Sequence, residues 1–191
     1  MTAGGDRQSP QQAPDPLLVL ALAVVIYGAL AAAALLWLWC RDRTGAVAEQ
    51  SVGRLGPLAA SGAGLAVALV GVAVHGWLRE VVPGGSPLHT AAAQLFVRWD
   101  ERVGIAFSVL AALAEELFFR LAVQDAFGLA GSVTAYVLLN IRTVGLRWSA
   151  VTLVHALCLG GLVELGFGLL GSTSAHAVLN YLSLRRIHRS S

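Results

Sequence analysis

Long apolar runs with almost no charged side chains are the feature that most constrains this chain. The run from Leu17 to Cys40 contains no Asp, Glu, Lys or Arg, and the run that begins at Leu58 is similar up to Leu78. Only 13% of the 191 residues are charged, about half of the roughly 25% typical of soluble domains. A soluble domain of this size would lack the polar surface to cover its core, so the sequence predicts an integral membrane protein.

Six apolar segments predict an all-α, polytopic transmembrane helical bundle of about six spans. About 20 residues are needed to cross a hydrocarbon core roughly 30 Å thick. The fourth and sixth segments are shorter than this, so we expect them to extend into the flanking turns. The six segments are Leu17–Cys40, Leu58–Val82, Val103–Val123, Leu129–Ile141, Trp148–Leu170 and Ser172–Leu184.

The polar parts of the sequence fall at the two ends and between the spans. Residues 1–16 contain three prolines and predict a disordered tail, followed by one bundle domain over residues 17–184. For residues 83–102 the sequence predicts a polar loop, in which Ala91–Val97 forms a short interfacial helix. Residues 185–191 form a basic tail.

The distribution of arginine between the predicted loops indicates orientation. With six spans, nine arginines lie on the side of the two termini and three on the other side, namely Arg41, Arg43 and Arg54. This bias favours termini in the cytoplasm. The Ala, Gly and Leu richness indicates a GC-rich genome, and a bacterial inner membrane is the expected location. Basic residues do not form a stripe with interleaved aromatics, which argues against a nucleic-acid partner. The lipid bilayer is the expected partner.

The third span carries three ionisable residues, Glu115, Glu116 and Arg120, within six positions. A charged side chain at the centre of a bilayer costs roughly 2.5–3.5 kcal/mol even on insertion scales. Glu116 and Arg120 are four residues apart on one helix face, so we expect them to form a structural ion pair. Glu115 has no partner on its own helix, so it must either stay protonated or meet a partner on another span.

The candidate partners for Glu115 lie on the last two spans. His155 is in the middle of the fifth span, and His176 is followed one helical turn later by Asn180. A glutamate that takes a proton from water, with imidazole and amide groups that donate to an oxyanion, would be suited to hydrolysis. Glu115, His155 and His176 would also form a zinc ligand set. The residue types leave both alternatives open.

These motifs resemble a known family of membrane proteases. Residues 115–120 have the form EExxxR, a later apolar helix contains His155, and residues 176–180 have the form HxxxN. Over residues 103–184 the chain is similar to the CPBP family, also called the ABI or CAAX prenyl protease family. The resemblance implies an intramembrane endopeptidase in which Glu115 activates water. It further implies that His155, His176 and Asn180 support the transition state and that Glu116 and Arg120 are structural.

The resemblance also carries expectations about substrate and cofactor. It implies cleavage of a membrane-anchored protein near its C-terminus, as in bacterial, myxosortase-like members that process C-terminal sorting signals. No cofactor is expected, with zinc held by Glu115, His155 and His176 as the alternative.

Non-enzymatic interpretations remain beside the protease. The ionisable residues could form a structural network, and His176 and Asn180 could be interhelical hydrogen-bonding residues. The chain would then be a non-proteolytic membrane scaffold or a bacteriocin-immunity protein. A proton-coupled transporter would use Glu and His to relay protons, but should show paired broken helices in matching halves. Glu164, nine residues after His155, is expected near a helix end or facing a cavity.

Overall fold

The structure, a computed structural model, describes residues 14–81 and 100–190. In this part of the chain all regular secondary structure is helical, and short turns connect the helices. The α-helices are α1 (Pro16–Cys40), α2 (Ala46–Gln50), α3 (Pro57–Val81), α4 (Glu101–Glu116), α5 (Asp125–Val144), α6 (Leu146–Leu162) and α7 (Gly168–Ser190). Two π-helical segments, π1 (Leu117–Gln124) and π2 (Val163–Phe167), continue α4 and α6 respectively. The predicted all-α class is confirmed.

Three stretches of the described chain are long and apolar enough to cross a membrane: Pro16–Cys40, Pro57–Leu78 and Trp148–Arg189. The outer surfaces of these helices are apolar, with large side chains such as Val25, Ile26 and Val70 more than half exposed. The interior also holds charged side chains, since Glu116 and Arg120 are 0% exposed. Because apolar side chains outside and polar side chains inside suit lipid as the solvent, the chain is an integral membrane protein.

The helix boundaries differ from the predicted spans at two glycine-containing breaks. Beyond the predicted end of the third span at Val123, the chain stays helical as far as Phe127, and a new helix axis starts at Gly128, whose φ is 68°. The predicted break between Leu170 and Ser172 is wrong, because the chain turns at Gly166 (φ 92°) and Gly168 (φ 63°). These left-handed conformations favour glycine and end the helix there. His176 therefore lies more than two turns inside α7.

Helix α7 is the central helix of the bundle, because it packs against α3, α4 and α6. Its contact with α3 depends on small residues. A Cβ atom at Gly64 would lie only 2.4 Å from the carbonyl oxygen of Gly171, so the two backbones meet directly. Close approach through small residues is the usual way in which helices associate within lipid.

The turn between α2 and α3 closes one end of the bundle by packing on the turn between π2 and α7. The amide of Leu55 donates to Gly166 O (3.3 Å), and the amide of Leu170 donates to Ser51 O (2.9 Å). A Cβ at Gly53 would lie 2.4 Å from Gly166 O, so only glycine fits between these turns. Residues 83–99 of the predicted 83–102 loop, with its interfacial helix, and most of the N-terminal tail lie outside the described residues. The last two residues of that predicted loop are helical, because α4 begins at Glu101 after its N-cap Asp100.

Asp125 joins the end of α1 to the junction between π1 and α5. Its carboxylate accepts from Arg43 Nη2 at 2.7 Å and from Arg41 Nη1 at 2.9 Å, and its side chain is only 8% exposed. The hydrogen bond from Arg43 is the main cause that lowers the pKa of Asp125, and Arg41 adds to it. Both arginines follow the last apolar residue of α1, so the bridge lies beyond the apolar spans.

We expect Asp125→Asn to lower the free energy of unfolding by about 1–3 kcal/mol, because it removes charge-assisted hydrogen bonds. Because the pKa of Asp125 is lower in the folded protein, its carboxylate stabilises the fold fully at pH values above its unfolded-state pKa, near 3.9. This stabilisation is lost as the pH falls through the folded-state pKa. Thermal unfolding of the purified protein in lipid nanodiscs between neutral and acidic pH measures both effects. The variant should lose part of the acid sensitivity of the parent.

Asp42→Asn is the matched control, because Asp42 lies between Arg41 and Arg43 on the turn after α1 and forms no ion pair within the described residues. Its φ of 56° is also compatible with asparagine. Equal destabilisation by both substitutions would contradict a specific role for Asp125.

Candidate active site

The candidate site lies where α4, α6 and α7 meet inside the bundle. Glu115 and Glu116 are the last two residues of α4, and Arg120 follows in π1. The wider π-helical turn begins directly after the glutamates. Single π-helical turns within α-helices occur frequently at functional sites. His155 is supplied by α6 and His176 by α7.

Glu116 is the centre of the polar network and is completely buried. Its Oε2 accepts from Arg120 Nε at 3.2 Å, and its Oε1 accepts from Nδ1 of His176 at 2.8 Å. The expected pairing of Glu116 with Arg120 is therefore present. The hydrogen bond to His176 was not expected, and it fixes the imidazole with its Nε2 directed away from Glu116.

Arg120 is completely buried and has partners on a second helix. Its Nη1 donates to Ser132 Oγ at 2.9 Å, and that hydroxyl donates to the carbonyl of Phe119 at 2.7 Å. The guanidinium also lies 5.6 Å from the ring centroid of Tyr136, within the range of a cation–π interaction. Arg120 thereby attaches α5 to the end of α4 and π1.

Glu115 faces the other nitrogen of His176. Its Oε2 lies 3.7 Å from His176 Nε2, and its side chain is 20% exposed, whereas that of Glu116 is fully buried. This separation is too long for a direct hydrogen bond and suits a water molecule that contacts both atoms. The Tyr136 hydroxyl also approaches the Glu115 carboxylate. Of the two glutamates, Glu115 is the one that a water or a substrate can reach.

His155 stands beside His176 with its ring nearly perpendicular. The two ring centroids are 5.2 Å apart, and the ring of Tyr136 lies 6.3 Å from that of His155. His155 Nε2 is buried and has no hydrogen-bond partner among the described residues. An unpaired buried nitrogen is costly, and here it can donate to or accept from a bound substrate.

The remaining predicted site residues have looser positions. Asn180 lies one turn after His176 on α7 and is half-buried. Its side chain makes no hydrogen bond with the residues that the structure describes. Glu164 lies in π2 at a pocket edge, as expected for a residue near a helix end, and accepts from Gln124 Nε2 at 2.8 Å. Cys158 is exposed on α6. The structure therefore brings together Glu115, Glu116, Arg120, His155 and His176.

The alternative zinc set is not assembled in this arrangement. Among the described residues, no group of three His, Cys, Asp or Glu side chains is placed to hold a metal ion. His176 Nδ1 is engaged by Glu116, and Glu115 is the glutamate nearest to Nε2. The donor set is arranged as a hydrogen-bonded network, which suits acid–base chemistry on water.

Three residues of the network were missed by sequence analysis: Tyr136, Ser132 and Gln124. All three are buried, and two of them touch Arg120. Ser132 and Tyr136 are four residues apart on α5, so they share a face. That spacing was the available signal, but it does not show which helix the face meets.

No protein-family model matches the chain, and comparison with curated proteins and with solved structures gave no match. The resemblance to the CPBP family therefore rests on the sequence motifs alone and stays a prediction.

We expect Arg120→Met to destabilise the protein by about 3–5 kcal/mol, because it leaves the Glu116 carboxylate buried without its cation. The double variant Glu116→Gln/Arg120→Met should lose less than the sum of the two single losses, since the residues interact directly. Chemical denaturation in detergent micelles measures these differences. Arg142→Met, at an exposed arginine on α5, is the control and should have little effect. Additive losses would contradict the ion pair.

Proposed function

We propose that the chain is an intramembrane endopeptidase of the CPBP type that uses Glu115 as its base. The observation that supports the proposal is the convergence of an accessible Glu115 with His176, 3.7 Å away, and His155, whose ring lies 5.2 Å from that of His176. Intramembrane ionisable residues are functional by default, because their insertion is costly. The site also combines a base with unpaired donors in a water-poor interior, where charge is stabilised most strongly.

In the proposed reaction, a water molecule lies against Glu115 Oε2 and His176 Nε2. Glu115 takes a proton from this water as its oxygen attacks the carbonyl carbon of the scissile peptide bond. The carbonyl oxygen becomes an oxyanion, to which His155 Nε2–H donates. Collapse of this intermediate breaks the C–N bond, and Glu115 returns the proton to the leaving amine. Asn180, on the same face of α7 as His176, is proposed to contact the substrate.

The second glutamate has a supporting role in this proposal. Glu116 holds His176 through Nδ1 (2.8 Å) and is itself held by Arg120 (3.2 Å). A carboxylate that fixes the tautomer and orientation of an imidazole is a common arrangement in hydrolases. Glu116 and Arg120 are therefore positioning residues, and neither is exposed to a substrate.

The proposed substrate is a membrane-anchored protein cleaved near its C-terminus. Proposed localisation is the inner membrane of a bacterium, with both termini in the cytoplasm. The apolar exterior of α1 and α3 supports a site that is reached from within the bilayer, because a soluble peptide would not partition there.

A membrane scaffold or immunity protein is the competing function. The complete burial and pairing of Glu116 and Arg120 would serve such a protein equally well. The accessible Glu115 and the unpaired His155 Nε2 favour the enzyme, because a purely structural network has no use for them.

We expect Glu115→Gln to reduce cleavage by about 10²–10⁴-fold, because it removes the base and keeps the shape of the side chain. His155→Ala should also abolish processing. Membrane insertion and thermal stability of both variants should stay close to those of the parent. Processing is measured in cells by the loss of intact C-termini among membrane proteins, with the purified protein then tested on the affected substrates.

Cys158→Ala is the control, because this exposed thiol on α6 lies at the surface of the same helix as His155. Full processing by Glu115→Gln would exclude the proposed base. A cellular function that persists in this variant would indicate the scaffold.

Metal dependence is tested separately. We expect cleavage to survive prolonged treatment with a strong chelator, because the described donor groups are not grouped to hold a metal. If the chelator abolishes cleavage and added zinc restores it, the attacking water is activated by a metal ion and not by Glu115 alone.

A further inference from the structure

Besides His155 Nε2, two buried side-chain polar atoms lack partners in the described protein. They are Nη2 of Arg120, a donor, and Oε1 of Gln124, an acceptor. Arg120 is 0% exposed and Gln124 only 6% exposed. Buried groups of this kind are nearly always satisfied by protein or by ordered water, so their surroundings must supply a polar ligand.

Both side chains line a pocket that opens at the end of the bundle closed by the α2–α3 turn. Its volume is about 310 Å³, and its lining also includes Val163, Glu164 and Arg54. At roughly 30 Å³ per molecule, this space is large enough for several water molecules. The pocket is therefore both polar enough and large enough to be hydrated.

The local backbone keeps this space open. The pocket lies between π1 and π2, and Gln124 connects the two segments by donating to Gly160 O (3.2 Å) and to Glu164 (2.8 Å). A Cβ atom at residue 160 would lie 2.4 Å from Leu129 Cδ1, 2.9 Å from Gln124 Oε1 and 3.3 Å from Arg120 Nη1. Glycine at this position therefore avoids a clash with Leu129 and leaves space beside the two polar side chains.

We propose that this pocket is a hydrated path that brings bulk water to the Arg120 end of the buried Glu116–His176 network. Water entering past Glu164 donates to Gln124 Oε1 and accepts from Arg120 Nη2. Arg120 is one hydrogen bond from Glu116, which is one hydrogen bond from His176. Because a guanidinium keeps its protons, this water solvates the cation of the network and relays no proton through it, while Glu115 is reached from the opposite side of His176. The benefit of this hydration for hydrolysis rests on the proposed function, but the hydration itself does not.

The chemistry of the lining favours water over an ion. Asp125 is neutralised by Arg41 and Arg43, and the lining retains both acidic and basic side chains. One free donor beside one free acceptor matches a neutral ligand that both donates and accepts, as water does.

Cysteine labelling tests the hydration. In a background with Cys40→Ala and Cys158→Ala, Val163→Cys and Gln124→Cys should react with a small charged methanethiosulfonate in open membrane fragments. This reagent attacks thiolates, which form only where water reaches the sulfur. Leu157→Cys is the control, because Leu157 is 44% exposed on α6 but does not line the pocket. It should stay unlabelled, since it faces lipid.

Labelling at Val163→Cys that is no faster than at Leu157→Cys would overturn the proposal, whatever the enzymatic activity. Val163 lies near the pocket mouth and is outside the network, so this variant remains informative if Gln124→Cys does not fold.

A pair of neighbouring glycines tests the inner part of the path. Gly160→Ala places a methyl group against Leu129 and in the space beside position 124 and Arg120, whereas a Cβ at Gly161 meets no atom within 4 Å in the described structure. We expect Gly160→Ala, but not Gly161→Ala, to slow the labelling of Gln124→Cys. Equal labelling in both backgrounds would show that the reagent arrives by another route and would overturn the proposed path.

Discussion

The buried contact of Glu116 with Arg120 and His176 is the interaction on which the rest of the structure depends. Each of these side chains would be very costly alone in a membrane. Together they satisfy most of one another's charge and hydrogen-bonding capacity, and they connect the end of α4 and π1 with α5 and α7. The same contact fixes the imidazole whose second nitrogen faces Glu115. Stability and the proposed chemistry therefore share one network.

The bundle reverses the usual distribution of residues in a soluble protein. Large apolar side chains cover its outside, while the inside holds buried Glu116 and Arg120 together with alanine, serine and some large apolar residues. Small residues let α3 and α7 approach closely, which brings His176 to the depth of the two glutamates. Since lipid provides no hydrophobic drive between helices, this packing and the polar contacts hold the helices together.

The two π-helical segments give the site two sides. One side presents Glu115, partly exposed, with His155 and Tyr136 near it. The other presents Arg120 and Gln124 to a polar pocket between π1 and π2. A substrate held in lipid would approach the side of Glu115, whereas water from the surface would enter the pocket beside Arg120. The arrangement of the two segments is suited to these separate approaches.

The sequence by itself determined the membrane setting, the helical class, the Glu116–Arg120 pair and the set of residues expected to meet Glu115. These follow from local properties, namely apolar run length, i,i+4 spacing and the cost of charge in lipid. Only the tertiary structure decided that Glu116 binds His176, that Tyr136 joins the site, and that the last two helices separate at Gly166 and Gly168. Such features depend on how helix faces rotate against one another and on backbone conformations at glycine, which no short-range pattern in the sequence specifies.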